Sequence, residues 1–246
     1  MTNYKIEIAT SDFISSSAAV RGGADRIELC DNLSEGGTTQ SYGCIRWCRE
    51  KLAVDLFPII RPRGGDFFYS SDEFEVMLHD IKMCRELGCD GVVIGLLNPD
   101  GSVDTIRTKK LVALAYPMEV TFHRAFDRCR DPFEALEQLI EIGCTRILTS
   151  GQQPAAPDGA ALIAELVKKA DERIIIMPGS GVRKENIREL AQQTGAWEFH
   201  SSLRTKVESK MQYRHPAFAN SSESYSNYSV LEEAVRALKE ELVGGL

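Results

Sequence analysis

Residues 21–30 read RGGADRIELC, and the middle of this stretch has three counterparts further along the chain. In each copy a glycine is followed by a small residue, two variable residues and a run typical of a β-strand. The copies begin at Gly23, Gly88, Gly143 and Gly195. A glycine that ends a helix just before a strand is typical of alternating β/α units. The sequence therefore predicts a chain that repeats a two-strand unit.

Short β-branched runs alternate with amphipathic runs on both sides of these repeats. The predicted strands are Lys5–Ala9, Asp25–Cys30, Leu56–Arg61, Gly91–Leu97, Val120–Ala125, Arg146–Ser150, Arg173–Pro178 and Trp197–Ser201. The predicted helices are Phe13–Arg21, Ser41–Lys51, Ser71–Leu87, Thr105–Ala115, Pro132–Ile142, Gly159–Ala170, Lys184–Gln193 and Val230–Leu242. Strands alternating with helices pair in parallel, and eight units in about 250 residues suit a (β/α)8 barrel. The predicted fold class is α/β, a single-domain TIM barrel over residues 1–246, although a doubly wound open sheet would leave part of the same repeat.

Composition excludes several classes of protein. The chain has 246 residues, with 29 basic and 36 acidic side chains, and a formal net charge of −7. This acidic balance argues against a nucleic-acid partner. The sequence has no apolar stretch near the ~18–20 residues of a membrane helix, and no signal-peptide pattern at its start. We therefore expect a cytoplasmic protein, without a membrane partner, whose seven cysteines are reduced thiols.

Polar residues near the ends of the predicted strands are the candidate site. Side chains alternate along a strand, so Glu28, Cys30 and His200 are expected to point inward while Ile27 and Leu29 face the helices. The candidate catalytic residues are Glu28, His123, Asp127 and His200, and the candidate substrate-binding residues are Arg61, Arg63, Arg124, Ser150, Gly179 and Gly181. The carboxyl ends of the strands carry the active site in TIM-barrel enzymes. The alternative is a buried ion-pair network, such as Glu28 with Arg61, that has no other role.

The residue types indicate the chemistry. Arginine forks suit a carboxylate or a phosphate, and histidines with carboxylates suit proton transfer. Glycines in the turn MPGSGV, residues 177–182, would let the backbone approach a phosphate closely, although a tight turn needs them as well. The irregular stretch 203–229 is predicted to be a long loop at the catalytic end, with a functional role or an interface.

Cysteines offer a second kind of site. Cys30 is predicted to point inward at the end of the second strand, and Cys44 lies in the first turn of the next helix, with Cys48 one turn later. If Cys30 and Cys44 converge, soft thiolates in low coordination number favour Cu(I) as the bound metal. The alternative is that each is a small buried packing residue.

Several motifs together resemble the CutC family, which is named for copper homeostasis. They are RGGADRIELC, LSEGGTT, IRPRGGDF, TFHRAFD, LTSG, MPGSGV and EFHSS, in this order along nearly the whole chain. The resemblance implies a (β/α)8 barrel, a cytoplasmic location, a homodimer and a role in handling intracellular copper. It also implies that Cys30 is the thiol candidate and that Glu28, Arg61, Arg63, His123, Arg124, Asp127 and His200 lie at the top of the barrel.

Three functions follow as hypotheses. The first is a copper-homeostasis protein that binds Cu(I) through Cys30. The second is an enzyme that acts on a small anionic metabolite, phosphorylated or carboxylated, because the motifs are rich in arginine, histidine and carboxylate. The third is a non-catalytic barrel that acts through its surface.

Overall fold

The computed structural model of the protein describes residues 4–218 and 225–244. Its strands are β1 (Lys5–Thr10), β2 (Arg26–Leu29), β3 (Asp55–Pro58), β4 (Gly91–Ile94), β5 (Glu119–Phe122), β6 (Arg146–Thr149), β7 (Ile175–Pro178), β8 (Glu198–Ser201), β9 (Arg204–Glu208) and β10 (Ser226–Val230). Its helices are α1 (Phe13–Arg21), α2 (Tyr42–Lys51), α3 (Ser71–Glu86), α4 (Thr105–Ala115), α5 (Pro132–Ile142), α6 (Ala160–Ala170), α7 (Ile187–Thr194) and α8 (Glu232–Val243). Each of the first seven strands is followed by a helix, as predicted. Within the described ranges, no helix has both the length and the apolar character needed to cross a bilayer.

Eight strands form two parallel four-stranded sheets, with the orders β3-β2-β1-β8 and β4-β5-β6-β7. In the first sheet, Glu7 of β1 is in register with Arg26 of β2 and with His200 of β8. The two sheets meet after β3, where Ile59 forms a parallel bridge with Val93 of β4. The prediction of an α/β fold with parallel strands is therefore confirmed, and the carboxyl ends of these strands share one side of the molecule.

The four repeat glycines all adopt the backbone conformation for which glycine is suited. Their φ angles are +95° at Gly23, +72° at Gly88, +93° at Gly143 and +71° at Gly195. A side chain in this left-handed region is strained, so glycine is favoured where a helix turns sharply into the next strand. The same type of helix-to-strand turn therefore occurs four times, and each copy of the repeat contains its glycine.

The two faces of the strands separate polar from apolar contacts. Ile27 and Leu29 belong to the large apolar cluster between strands and helices, as expected from the alternation. Cys30 lies instead in a small inner cluster with Ala9, Phe57, Ile59 and Val93. Glu28 therefore shares the inner face with Cys30, which is the direction the repeat predicted.

A buried ion network fills the inner space at the amino ends of the strands. Arg26 donates hydrogen bonds to Glu7 and, at 2.6 Å, to Glu198. Arg146 donates to the same Glu198 oxygen at 2.6 Å and to Glu119 at 3.1 Å. The sequence leaves open a buried ion-pair network, such as Glu28 with Arg61, as the alternative to a functional site. A buried ion-pair network does exist, but its members are the arginines and glutamates just named. Among the residues that the structure describes, Arg61 has no part in it, and Glu28 is connected to it through His200, which contacts both Glu7 and Glu28.

The stretch after β8 differs from the prediction. In place of a wholly irregular loop, β9 and β10 form an antiparallel hairpin in which Arg204 is opposite Val230. Both strands have polar residues on both faces, RTKVE and SNYSV, so neither showed an alternating hydrophobic pattern. Helix α8 also begins later than predicted, at Glu232, because Val230 completes the hairpin. The part of this stretch from 219 to 224 lies outside the described residues.

Candidate functional site

A cavity of about 1170 Å³ opens at the carboxyl ends of the strands. Six of the residues predicted for the site line it, and they are Glu28, Arg61, His123, Arg124, Gly181 and His200. Residues from the hairpin, Arg204, Thr205 and Tyr228, also reach it. The parallel strands bring these residues together because their carboxyl ends lie on one side.

His200 and Glu28 line this cavity, and the buried Glu7, which does not line it, contacts His200. The Nδ1 atom of His200 lies 2.8 Å from Oε1 of Glu7, and its Nε2 atom lies 3.7 Å from Oε2 of Glu28. The three side chains are buried, with 11% of His200, 7% of Glu28 and none of Glu7 exposed. Because Glu7 holds one ring nitrogen, the imidazole presents the other nitrogen to Glu28 and to the cavity.

Burial and charge set the protonation of these groups. Burial raises the pKa of Glu28 to about 7, although the charge of His200 opposes it. Burial alone would lower the pKa of His200, but Glu28 and Glu7 outweigh it and raise this pKa. Burial alone would raise the pKa of Glu7, but Arg26 and His200 lower it. Glu7 is therefore a fixed negative charge, whereas Glu28 changes protonation near neutral pH.

Arg61 places a positive charge in the cavity wall. Its side chain is buried, with 3% of the residue exposed. It donates hydrogen bonds to the carbonyls of Glu35 at 2.8 Å, Gly37 at 2.7 Å and Gly65 at 2.8 Å. Within the described part of the chain, no carboxylate forms an ion pair with it. A buried guanidinium held by neutral carbonyls attracts an anion.

His123 is neutral, and it is not suited to proton transfer. Its Nδ1 atom accepts a hydrogen bond from the backbone N–H of Ala125 at 3.0 Å. Burial lowers the pKa of His123 to about 3, and the nearby charge of Arg61 lowers it further in the same direction. The catalytic role predicted for His123 is therefore unsupported, while its place in the cavity wall agrees with the prediction.

Asp127 organises a loop and is not a free base. Its carboxylate accepts hydrogen bonds from Arg124 at 2.7 Å, from Thr149, from the backbone and side chain of Ser150, and from the backbone of Gln152. Donors therefore occupy both oxygens of this carboxylate. The structure thus gives no support to the catalytic role predicted for Asp127. Neither Asp127 nor Ser150 lines the cavity, although Arg124 does.

Arg63 and Gly179, which the sequence predicts to bind substrate, do not line the cavity. Arg63 donates to Glu73 and, at 3.1 Å, to Asp66, so its side chain holds the turn after β3. Arg61 and Arg63 would face the same way on an extended chain, but the chain turns there. Gly179 allows close packing, since a Cβ atom would come within 2.4 Å of Leu148 and 3.2 Å of His200.

Comparison with known proteins identifies the family. The CutC family model matches residues 4–205. A CutC family protein from Chromobacterium violaceum is 52% identical over 240 residues, covering 96% of this chain and 97% of the relative. Another from Parabacteroides distasonis is 56% identical over 210 residues, covering 85% and 86%. This chain belongs to the CutC family.

Solved structures agree with this assignment. The putative copper homeostasis protein CutC from Streptococcus agalactiae matches with a TM-score of 0.78 and 33% identity, covering 81% of this chain and 98% of that one. Thiamine phosphate pyrophosphorylase from Pyrococcus furiosus matches with a TM-score of 0.59 and 13% identity, covering 98% and 96%. The second likeness shows the TIM-barrel-like fold alone.

The family name raises the question of whether the thiols of this CutC chain suit copper. Cys30 lies in the small inner cluster, whereas Cys44 packs against the large apolar cluster between strands and helices, which contains Cys48. The structure therefore places Cys30 and Cys44 in different clusters, because α2 directs Cys44 into the layer between strands and helices. Burial and the charge of Glu28 raise the pKa of the Cys30 thiol well above its usual value. A two-thiol Cu(I) site from Cys30 and Cys44 does not fit this arrangement.

The residues of this CutC chain whose ligand-type atoms do converge are oxygen and nitrogen donors. In the described ranges, one group of three, Glu7, Glu28 and His200, has ligand-type atoms within 4.8 Å of one another. Glu7 is a member of this group that is not among the candidate site residues predicted from the sequence. It is recognisable as a charge within a strand, but its partners Arg26 and His200 are 19 and 193 residues away.

Proposed function

We propose that this chain is an enzyme that transfers a proton on a small anionic metabolite bound at the carboxyl ends of the strands. The observation that carries the proposal is the pair formed by His200 and Glu28 on the floor of the cavity, with Nε2 and Oε2 3.7 Å apart. Two titratable groups at the base of a deep pocket, oriented by a third group, are typical of acid–base sites.

The roles of the three residues follow from their contacts. Glu7 is a positioning residue, because its carboxylate accepts from Nδ1 of His200 and so directs Nε2 toward the cavity. With its raised pKa, His200 is suited to donate a proton, and Glu28, with a pKa of about 7, is suited to accept one. Groups whose pKa is close to the working pH are efficient both as proton donors and as proton acceptors.

Charge favours an anion as the bound molecule. The chain carries a net charge of −7, yet basic side chains slightly outnumber acidic ones around the cavity. The basic ones are Arg61, Arg124, Arg128, Arg183, Lys184 and Arg204, and the acidic ones are Glu28, Glu35, Asp66, Glu185 and Glu233. Of these side chains, Arg61 contributes most to the attraction of an anion, because its charge is buried and has no carboxylate partner in the described ranges.

A thermal-shift screen tests this proposal. We expect phosphorylated or carboxylated metabolites to raise the melting temperature, since a ligand at a hundred times its Kd adds about 2.7 kcal/mol to the free energy of unfolding. The shift should disappear in Arg61→Met and persist in Arg173→Met, whose exposed side chain pairs with Glu137 away from the cavity. Anions that stabilise Arg61→Met as strongly as the wild type would contradict the proposal.

We propose copper binding as a second candidate function, and the name of the Streptococcus agalactiae relative supports it. Cys30 is the thiol on the inner face, so any Cu(I) bound there has one thiolate ligand rather than two. Anaerobic Cu(I) titration against a competing chelator should then show binding that is lost in Cys30→Ser and kept in Cys44→Ser. Equal binding by all three proteins would exclude Cys30 as the ligand. The homodimer and the cytoplasmic location stay predictions.

A further inference from the structure

Two buried N–H groups in the cavity wall have no acceptor in the described parts of the chain. They are Nε of Arg61 and Nε2 of His123, and the buried hydroxyl of Tyr69, which interacts with the Arg61 guanidinium, also has no hydrogen-bond partner within those parts. The two residues are 3% and 4% exposed. A buried donor without an acceptor destabilises the folded protein, so native structures nearly always supply a partner or a bound molecule. Arg61 and His123 both line one cavity, although neither donor atom is itself exposed to it.

The contact with Ala125 decides which nitrogen of His123 carries the proton. The backbone N–H of Ala125 donates to Nδ1, so Nδ1 is an acceptor and the hydrogen of the neutral ring is on Nε2. Burial and the charge of Arg61 lower the pKa of His123 to about 3. The ring is therefore a neutral donor over the whole physiological pH range, and its charge does not add to that of Arg61.

Phe67 lies against both residues. Its ring centre is 4.9 Å from that of His123, and the guanidinium carbon of Arg61 lies 5.0 Å from the centre of the Phe67 ring. The backbone of Phe67 is fixed, because its carbonyl accepts from the N–H of Leu97 at 2.9 Å. Its side chain is half-buried and also lines the cavity. The Phe67 ring therefore packs against both residues that carry the unpaired donors.

We propose that Arg61 and His123 form a subsite for the carboxylate of a small organic acid, covered by the ring of Phe67. The inference rests on the proposed function, since it assumes that the cavity binds an anion. One positive charge and two N–H donors match the single charge and two oxygens of a carboxylate. A phosphate dianion has a second charge and a third oxygen, for which these two residues have no counterpart.

The subsite also places the substrate. Arg61 and His123 follow β3 and β5, whereas His200, Glu7 and Glu28 belong to β8, β1 and β2. A substrate held by its carboxylate at the first pair would extend across the cavity toward the second group. The substrate class that fits is a small carboxylic acid whose reacting carbon is separated from its carboxylate.

Nuclear magnetic resonance of the side-chain N–H groups tests the subsite with sodium acetate as the probe. In the 15N-labelled protein, acetate at constant ionic strength should shift the Arg61 Nε–H and His123 Nε2–H signals together and saturably, whereas chloride should not. In His123→Phe we expect the acetate Kd to rise about tenfold, as for one lost hydrogen bond. The Arg61 signal in this variant reports whether the cavity wall is still folded.

A second variant and a second anion keep the test decisive. Phe67→Leu retains both donors, so it should still bind acetate, with faster exchange because the cover is smaller. Acetate that leaves both signals unmoved in the wild type and in Phe67→Leu would overturn the subsite, as would inorganic phosphate that binds more tightly than acetate. An acetate response without turnover of any metabolite would instead contradict only the proposed enzyme. Turnover without an acetate response would contradict only the subsite.

Discussion

Replacing Arg26 with methionine is expected to lower the free energy of unfolding by about 3–5 kcal/mol, because two buried carboxylates lose a cationic partner and keep only Arg146 or His200 beside them. The Arg26 guanidinium bridges Glu7 and Glu198, and these three side chains are at most 3% exposed. Methionine fills similar space but pairs with neither carboxylate. Urea denaturation at pH 7 measures the loss, with Arg173→Met as the control.

The control isolates burial as the cause. Arg173 also donates two hydrogen bonds to a glutamate, Glu137, but the side chains of this pair are 44% and 51% exposed. Water solvates both charges when an exposed pair is broken, so we expect a far smaller change in Arg173→Met. Similar losses in the two variants would show that burial of the Arg26 network contributes little to stability.

Replacing Glu28 with glutamine is expected to lower turnover by about 10²–10⁴-fold once a substrate is known, since this is the usual contribution of a general acid or base. Glutamine has nearly the same shape but accepts no proton. Ligand binding, measured as the thermal shift, should persist because Arg61 and His123 are unchanged. Unaltered turnover in Glu28→Gln would remove this carboxylate from the proposed reaction.

The same substitution should change how stability depends on pH. Folding raises the pKa of Glu28 from an ordinary 4.5 to about 7, mainly by burial. Between these two values the unfolded chain binds fewer protons at Glu28 than the folded protein, so stability falls as the pH rises from 4.5 to 7. Glu28→Gln removes this loss, and its melting temperature should exceed that of the wild type at pH 8 but not at pH 4.

Thermal denaturation at these two pH values, with Glu165→Gln as the control, checks the expectation. Glu165 is exposed on α6, so its replacement should leave the pH dependence of stability as it is in the wild type. Parallel stability profiles for wild type and Glu28→Gln would mean that Glu28 ionises normally in the folded protein. In that case its role as a base tuned to neutral pH would fail.

The sequence was sufficient for the parts of the site that depend on strand direction. Glu28 and His200 occupy equivalent places in the glycine repeat, and alternation along a strand directs both inward. Turns were harder to predict. Arg61 and Arg63 differ by two residues, yet only Arg61 lines the cavity, because the turn between them redirects the chain. The sequence PRGG at residues 62–65 indicates a turn, but not which of the two arginines the turn leaves in the cavity.

What the sequence determined by itself was local: the order of strands and helices, the glycine turns and the inner and outer faces of each strand. These features depend on residues that are near one another in the chain. The tertiary structure alone decided which charges are paired and which are free. Glu7 contacts His200, which is 193 residues away in the chain. Asp127 accepts hydrogen bonds from Arg124 and from residues 22 to 25 positions away. The chemistry of a carboxylate depends on such neighbours, and packing rather than sequence spacing selects them.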